Sequence, residues 1–260
     1  NGIICFEIND LDAKKIANFY KTDQFPNYKE NDDRGTILKK GNKNLLASQF
    51  KAFVGMNKKV LEVGCGTGQL SNYFAMNTNN EIVALDTTPE SLELANNFAK
   101  KNKLSNVKFI NADIFDNVLS NEYFDFIWCN GVLHHTKNPK KAFEITIKSL
   151  KKNGYVLVGL YNKFGRLRTF IRKFFSKIFG NNYLSIFDPI LRKLKISDAE
   201  KKAWINDQYF HPIESTHTLD EVILWFKDNN IKYVNSLPQC DFEYDLDFKN
   251  LFEEKSLGDS

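Results

Sequence analysis

The sequence predicts an α/β domain whose mostly parallel sheet carries helices on both faces. Three observations carry that expectation. Short apolar strand patterns alternate with helix-period patterns from residue 59 onward. A glycine-rich turn joins the first of these strands to the first helix. Acidic residues stand at or just after the ends of the next two strands.

The elements follow in order. Residues 59–63 (KVLEV) read as a short buried strand, 70–76 as the start of a helix, and 81–86 (EIVALD) as a second strand. Residues 89–102 read as a helix opened by a proline, with Leu92, Leu94, Ala95, Phe98 and Ala99 near helical spacing. Residues 107–111 and 124–129 (FDFIWC) read as the third and fourth strands. A helix is expected over 139–152, stopped by Asn153-Gly154, with a fifth strand over 155–161. Residues 162–217 break this rhythm. It resumes with a helix over 218–229, where Thr218 and Glu221 form a capping-box pattern, and a sixth strand over 231–237. The expected organisation is a leader or cap over 1–50, a core over 51–161, a helical insertion over 162–217, and the rest of the core over 218–260.

Composition sets outer limits. The chain has 260 residues, 42% of them hydrophobic, which suits one large domain or a domain with a cap. It opens on Asn1, so the native N-terminus is expected further upstream, and the C-terminus is also expected to be truncated. No apolar run reaches the ~18 residues of a membrane span, and residues 1–20 lack a signal-peptide layout. Cys5, Cys65, Cys129 and Cys240 show no CxxC spacing, which fits free thiols in a reducing cytoplasm. Charge is uneven. Residues 163–202 hold eleven Lys and Arg against three acids, whereas 241–260 hold seven acids against two lysines.

The chemistry centres on Glu62-Val63-Gly64-Cys65-Gly66-Thr67-Gly68. Glycines at such a turn let the backbone approach a ligand at the strand-end crevice. The spacing is GxGxG, and Gln69 stands where a dinucleotide fingerprint has its third glycine. Glu62 adds a carboxyl group at the turn, which suits a cationic amino group better than a pyrophosphate. Asp86, twenty residues beyond Gly66, is placed to accept from ribose hydroxyls, or is simply a strand-ending surface acid. Asp113 is placed to accept from an adenine amino group, or to cap the next helix.

The stretches 60–71 (VLEVGCGTGQLS), Asp86, Ala112-Asp113 and 124–135 (FDFIWCNGVLHH) resemble the ordered motifs of class I S-adenosylmethionine (SAM)-dependent methyltransferases. The resemblance is to the small-molecule branch that includes ubiquinone- and menaquinone-biosynthesis methyltransferases, and it covers residues 57–161 and, weakly, 218–238. It implies a Rossmann-like, seven-stranded sheet with one antiparallel member; the acidic segment 240–247 is the candidate for the missing strand. It also implies SAM as cofactor and S-adenosylhomocysteine as product. Glu62, Gly64, Gly66 and Gly68 would line the methionine part, Asp86 would hold the ribose, Asp113 the adenine amino group, and Asn130 would lie near the sulfonium end, with Cys65, Thr87 and Ile114 also among the cofactor-binding residues.

The acceptor side rests on weaker signals. Residues 130–135 (NGVLHH) lack the Asn/Asp-Pro-Pro-Tyr/Phe motif of amino- and DNA-methylating relatives, which argues against N6-adenine or glutamine-amide methylation. His134 and His135 are candidate general bases for a phenol, enol or thiol, or else pack or cap the next helix. No metal site is expected, because adjacent histidines point differently and no matching carboxylate or cysteine spacing supports one. Methyl transfer needs alignment and water exclusion more than covalent help, so a lid is expected. The aromatic leader, with Tyr20 and Tyr28, the end of the fifth strand, with Tyr161, and the insertion, with Asn162, Arg166, Tyr209 and His211, supply candidate acceptor residues.

Phe164, Leu167, Phe170, Ile171, Phe174, Phe175, Ile178 and Phe179 recur at steps of three and four among basic residues. The first reading is a cap helix that buries this aromatic face on the core. The second is a peripheral membrane contact through 164–179. Nucleic-acid binding ranks last, since no recognised nucleic-acid module accompanies it. The expected activity is methyl transfer to O, C or S of a small molecule, in the cytoplasm or at a membrane. The alternatives are an RNA or protein methyltransferase using the basic segment, a SAM-fold enzyme of other chemistry, and a non-catalytic SAM-binding scaffold. The sequence carries no signal for oligomeric state.

Overall fold

A computed structural model describes residues 2–237, apart from Asp23, Phe25, Asn27, Glu30, Asn181 and 194–197. In chain order the elements are β1 (Ile3–Cys5), α1 (Leu11–Thr22), α2 (Arg34–Lys43), α3 (Leu45–Val54), β2 (Lys59–Val63), α4 (Gln69–Ala75), β3 (Glu81–Asp86), α5 (Pro89–Lys101) and β4 (Val107–Asn111). There follow β5 (Phe124–Asn130), α6 (Pro139–Lys148), β6 (Leu150–Gly159), α7 (Leu167–Phe179), α8 (Asn182–Phe187), α9 (Pro189–Lys193), α10 (Asp198–Tyr209) and α11 (Leu219–Asp228). Single 3₁₀ turns sit at Ile114–Asp116 and Leu133–His135.

The six described strands form one sheet in the order β1-β4-β3-β2-β5-β6, and every pairing is parallel. Alternation along the central strands sends side chains to opposite faces. Leu61, Val63, Val83, Leu85 and Ile127 join the cluster completed by Phe143 of α6 and Trp225 of α11. Val60, Ile82, Phe126 and Trp128 meet Ile37, Phe50 and Phe74 of α2, α3 and α4 on the other face. Strand order reverses between β2 and β5, which opens a crevice at their carboxyl ends.

Several sequence expectations change. Residues 1–50 form more than a leader: β1 pairs with β4 at the sheet edge, and α2 and α3 bury Ile37, Ala47 and Phe50. The helix expected over 139–152 ends at Lys148, and β6 starts at Leu150 rather than 155. The Ser149 hydroxyl donates to Thr146 O at 2.7 Å and closes the helix. Asn153 takes φ +61, and at Gly154 a Cβ would lie 2.8 Å from Asp125 O. Asn-Gly therefore punctuates a shift in strand register and not a helix end.

The stretch expected as a strand over 231–237 takes no strand conformation in the described structure. Ile231 instead ends α11, with its N–H donating to Phe226 O at 2.8 Å while its side chain packs against the core. The candidate seventh, antiparallel strand over 240–247 and Cys240 lie outside the described residues. Thr218 caps α11, accepting from Glu221 N, but the Glu221 carboxylate meets His217 rather than closing a capping box.

The insertion leaves and rejoins the core at one point. Asn162 bridges His217 in parallel fashion, Lys163 N donates to His217 O at 3.0 Å, and His217 N donates to Tyr161 O at 2.9 Å. Cys5, Cys65 and Cys129 are free thiols. No helix among the described residues is long and apolar enough to cross a membrane.

Candidate functional site

A cavity of about 600 Å³ occupies the crevice over the carboxyl ends of β2, β3 and β5, walled by α1, α2 and α10. Its floor is the turn after β2. Gly64, Gly66 and Gly68 all take left-handed backbone, at φ +66, +51 and +66. A Cβ at Gly64 would lie 2.3 Å from Val132, which lines the cavity with it. Gly68 stands behind the wall. It opens α4, where a Cβ would lie 2.5 Å from that of Ala95, so its role is close packing of α4 on α5.

Glu62, Asp86 and Asp113 are among the acids that face this end of the cavity. Glu62 is buried, its carboxyl group accepts from the Ser71 hydroxyl, and burial pushes its pKa up to about 8. Asp86 accepts from Gly66 N at 2.7 Å and from Thr88 N at 2.8 Å, and burial holds its carboxyl group above the usual carboxylate range. Asp113 caps the 3₁₀ turn by accepting from Phe115 N at 3.2 Å, as the capping reading expects, and it also lines the cavity. Burial raises its pKa as well. Cys65, Thr87, Ile114 and Asn130 lie on the same wall. At Gly159 a Cβ would collide with the Asn130 amide, so the glycine on β6 leaves room for that side chain.

The opposite end is aromatic and polar. Tyr20 of α1 donates its hydroxyl to Asp207 of α10 at 2.6 Å, and burial with that carboxylate raises its pKa. Gln208 donates to Tyr161 Oη at 3.1 Å and to Asp207 Oδ2 at 2.8 Å. His135 has its Nδ1 2.8 Å from Ile213 O, which places the proton there and leaves a lone pair at Nε2. Burial lowers its pKa, and that of His211 to about 3, so both rings are neutral. The two rings lie 3.6 Å apart.

Tyr20, Tyr161, His135 and His211 thus share this wall; the other sequence candidates do not reach it. His134 is buried, with both ring nitrogens unpartnered among the described residues, its ring 3.8 Å from that of Tyr161 and its pKa lowered by burial to about 2. Tyr28 stacks on Phe98 at 4.7 Å and accepts from Asn72. Tyr209 is buried and donates to Asp188 at 2.6 Å. Arg166 lies one layer back, over the Tyr161 ring at 3.8 Å, paired twice with Glu214 at 3.0 and 2.8 Å and bonded to Gln208 O. It holds Tyr161 and α10 in place. Asn162 caps the turn that follows it.

Sequence reasoning missed Asp207 and Gln208, which are polar residues inside an aromatic run and carry no motif. It also missed Asp10, which caps α1, pairs with Lys137 and faces the cavity beside Asp113. Its signal was present: an acid directly before Leu11, at the start of a helical pattern. Among the described residues no group of three His, Cys, Asp or Glu is arranged to hold a metal ion.

Taken together, one end offers a buried carboxyl group and two strand-end acids to a ligand with amino and hydroxyl groups. The other end offers rings and a neutral imidazole to a second molecule.

Comparison with known proteins follows the same line. The chain matches the family described as "Methyltransferase domain" over residues 55–207. It is 33% identical over 120 residues to a ubiquinone biosynthesis O-methyltransferase of Actinobacillus pleuropneumoniae, covering 44% of this chain and 50% of that one. It is 26% identical over 154 residues to the uncharacterized methyltransferase YcgJ of Bacillus subtilis, covering 59% of this chain and 55% of that one. The chain spans about half the length of the curated relatives it matches. The structure of PKMT2 from Rickettsia typhi shares the fold, with a TM-score of 0.54 and 19% identity over 71% of this chain and 42% of that one.

Proposed function

The chain belongs to the class I SAM-dependent methyltransferase family, and from that premise we propose that it transfers a methyl group to an O, C or S atom of a small, lipophilic acceptor. The observation that carries this reading is the convergence, in one cavity of about 600 Å³, of a glycine cradle with three acids at one end and a neutral imidazole among aromatic rings at the other. The O-methyltransferase of ubiquinone biosynthesis among its relatives supports a small-molecule acceptor. The exposed aromatic segment over 164–179 supports a lipophilic one met at a membrane.

The residues present fit SAM. Glu62 is a buried carboxyl group whose side-chain partner among the described residues is Ser71, so it would hold the cationic amino group. Gly64 has no room for a side chain, which leaves its backbone to face the ligand. Asp86 and Thr87 would hold the ribose, Asp113 and Ile114 the adenine, and Asn130 the sulfonium end. When bound, the cofactor supplies an electrophilic methyl group on sulfur and departs as S-adenosylhomocysteine.

The chain's own residues do the rest. Tyr20 and Tyr161 would grip an apolar acceptor between rings. His135 Nε2 would take the proton of a phenol, enol or thiol as it is methylated. His211, neutral and packed against His135 at a tilt of 32°, would fix that ring's plane. Helices α1 and α10 would exclude water from the reacting groups, joined across the opening by the Tyr20–Asp207 hydrogen bond.

The test is incubation with methyl-labelled SAM and a panel of phenols, enols and thiols of graded lipophilicity. The reading expects acceptor-dependent release of S-adenosylhomocysteine that falls at least a hundredfold in His135→Ala. SAM binding with no turnover on any acceptor would favour a scaffold instead.

A further inference from the structure

Helix α7 is turned inside out. Leu167, Phe170, Ile171, Phe174 and Ile178 form its apolar stripe, with Phe164 just ahead, and all are exposed; Phe164 is 76% and Phe174 60% accessible. The sequence expectation of a cap helix burying this face is therefore reversed. Its polar side packs inward instead. Ser176 is buried, Arg172 donates to Tyr209 Oη at 3.5 Å, and Arg166 clamps Glu214 just before the first turn.

The apolar surface continues over the next two helices. Ile186, Phe187 and Ile190 are exposed, and Tyr183 stacks on Phe179 at 5.9 Å and on Phe187 at 4.3 Å, joining α7 to α8. A contiguous apolar patch of this kind on a folded chain marks an interaction surface. Exposed cations border it. Lys163, Arg168, Lys177 and Arg192 make no side-chain ion pair among the described residues, and the one acid in 163–193, Asp188, is buried against Tyr209.

We propose that α7–α9 dock peripherally on an anionic lipid bilayer, with the apolar stripe in the headgroup–acyl boundary and these four cations at lipid phosphates. Charge complementarity selects this occupant. A second copy on the same face would bring like-charged rims together, and a nucleic acid would leave the aromatic rings uncovered. At 13 residues, or ~20 Å, α7 lies on a bilayer and is too short to cross one. The docking surface stands without methyl transfer. Its use, to bring a lipophilic acceptor beside Tyr161, rests on that reading.

The test is co-sedimentation of the full chain with vesicles of equimolar phosphatidylcholine and phosphatidylglycerol, against phosphatidylcholine alone. The expected result is at least tenfold tighter binding to the mixed vesicles. Binding should fall at least tenfold in the double variant Phe174→Ser with Ile178→Ser, and again in Arg168→Glu with Lys177→Glu. All four side chains are exposed, so thermal melting should match wild type. Wild type left in the supernatant, or variants that sediment like wild type, would overturn the proposal. So would apolar variants that merely convert a dimer to a monomer, or salt-sensitive RNA binding without vesicle binding. The readout is lipid binding and not turnover, so a failed methyl-transfer assay leaves it standing.

Discussion

The Asp86 carboxylate accepts a hydrogen bond from the backbone N–H of Gly66 at 2.7 Å and so ties the end of β3 to the glycine loop after β2. Its second oxygen accepts from Thr88 N at 2.8 Å, at the start of α5. One side chain thus sets the loop's position before any ligand arrives. Asp86→Asn keeps one accepting oxygen and should destabilise the fold by about 1–2 kcal/mol in chemical denaturation, with Asp86→Ala costing more. Equal stability of both variants and wild type would show that the loop holds itself.

Gly64 predicts a steric effect. Its backbone sits at φ +66, and a Cβ added there would lie 2.3 Å from Val132, so Gly64→Ala is strained twice. The variant should lose about 1–3 kcal/mol of stability and weaken S-adenosylhomocysteine binding at least tenfold. Adding Val132→Ala should recover part of the stability but not the backbone strain. A Gly64→Ala protein that binds like wild type would contradict the close backbone approach.

Glu62 predicts a pH effect. Its pKa rises from the ordinary 4.5 to about 8 because burial disfavours the carboxylate. The folded state therefore holds a proton that the unfolded chain has released. Stability contributed by Glu62 is present at low pH and is lost as pH rises from about 4.5 through about 8, at up to about 1.4 kcal/mol per pH unit. Glu62→Gln should flatten that part of the profile. A ligand amino group needs the carboxylate, so binding at neutral pH should release close to one proton, measurable by calorimetry in buffers of different ionisation enthalpy. No proton release would mean that Glu62 does not meet the cation.

His134 predicts the opposite sign. Burial drives its pKa from 6.5 to about 2, with His135 and Arg166 nearby adding to the effect. The unfolded chain binds the proton more tightly, so this residue's contribution is lost as pH falls below about 6.5. Both ring nitrogens lack partners among the described residues. His134→Phe keeps the ring against Tyr161 and removes the unsatisfied groups, so it should be neutral or stabilising, and less acid-sensitive, in denaturation measured at neutral and mildly acidic pH. A loss above about 2 kcal/mol would show that a nitrogen has a partner after all.

Much of the lining of the candidate site's floor was legible because strand-end positions are local in sequence. The glycine turn, Asp86 and Asp113 each follow directly from a strand, and β-α-β alternation brings strand ends together. Gly68 was misread because the same residue type serves ligand approach and helix packing, and only the position of Ala95 tells them apart. Leu150 and Asn153-Gly154 were misread because Asn-Gly ends helices and also shifts strand register. On the acceptor side Tyr20, Tyr161, His135 and His211 were singled out one by one, but their meeting was not legible because they come from distant segments, and Asp207 carried no signal at all. The amphipathic period of α7 located an apolar face but not its direction, which was decided by hydrogen bonds from Arg166 and Arg172 on the other side.

The most direct measurement is calorimetric titration of the chain with SAM and with S-adenosylhomocysteine, on wild type and on Asp86→Ala. Binding of both ligands by wild type, weakened at least tenfold (about 1.4 kcal/mol) in the variant, is the predicted result. A wild-type protein that is folded by circular dichroism and binds neither ligand would contradict the account at its centre.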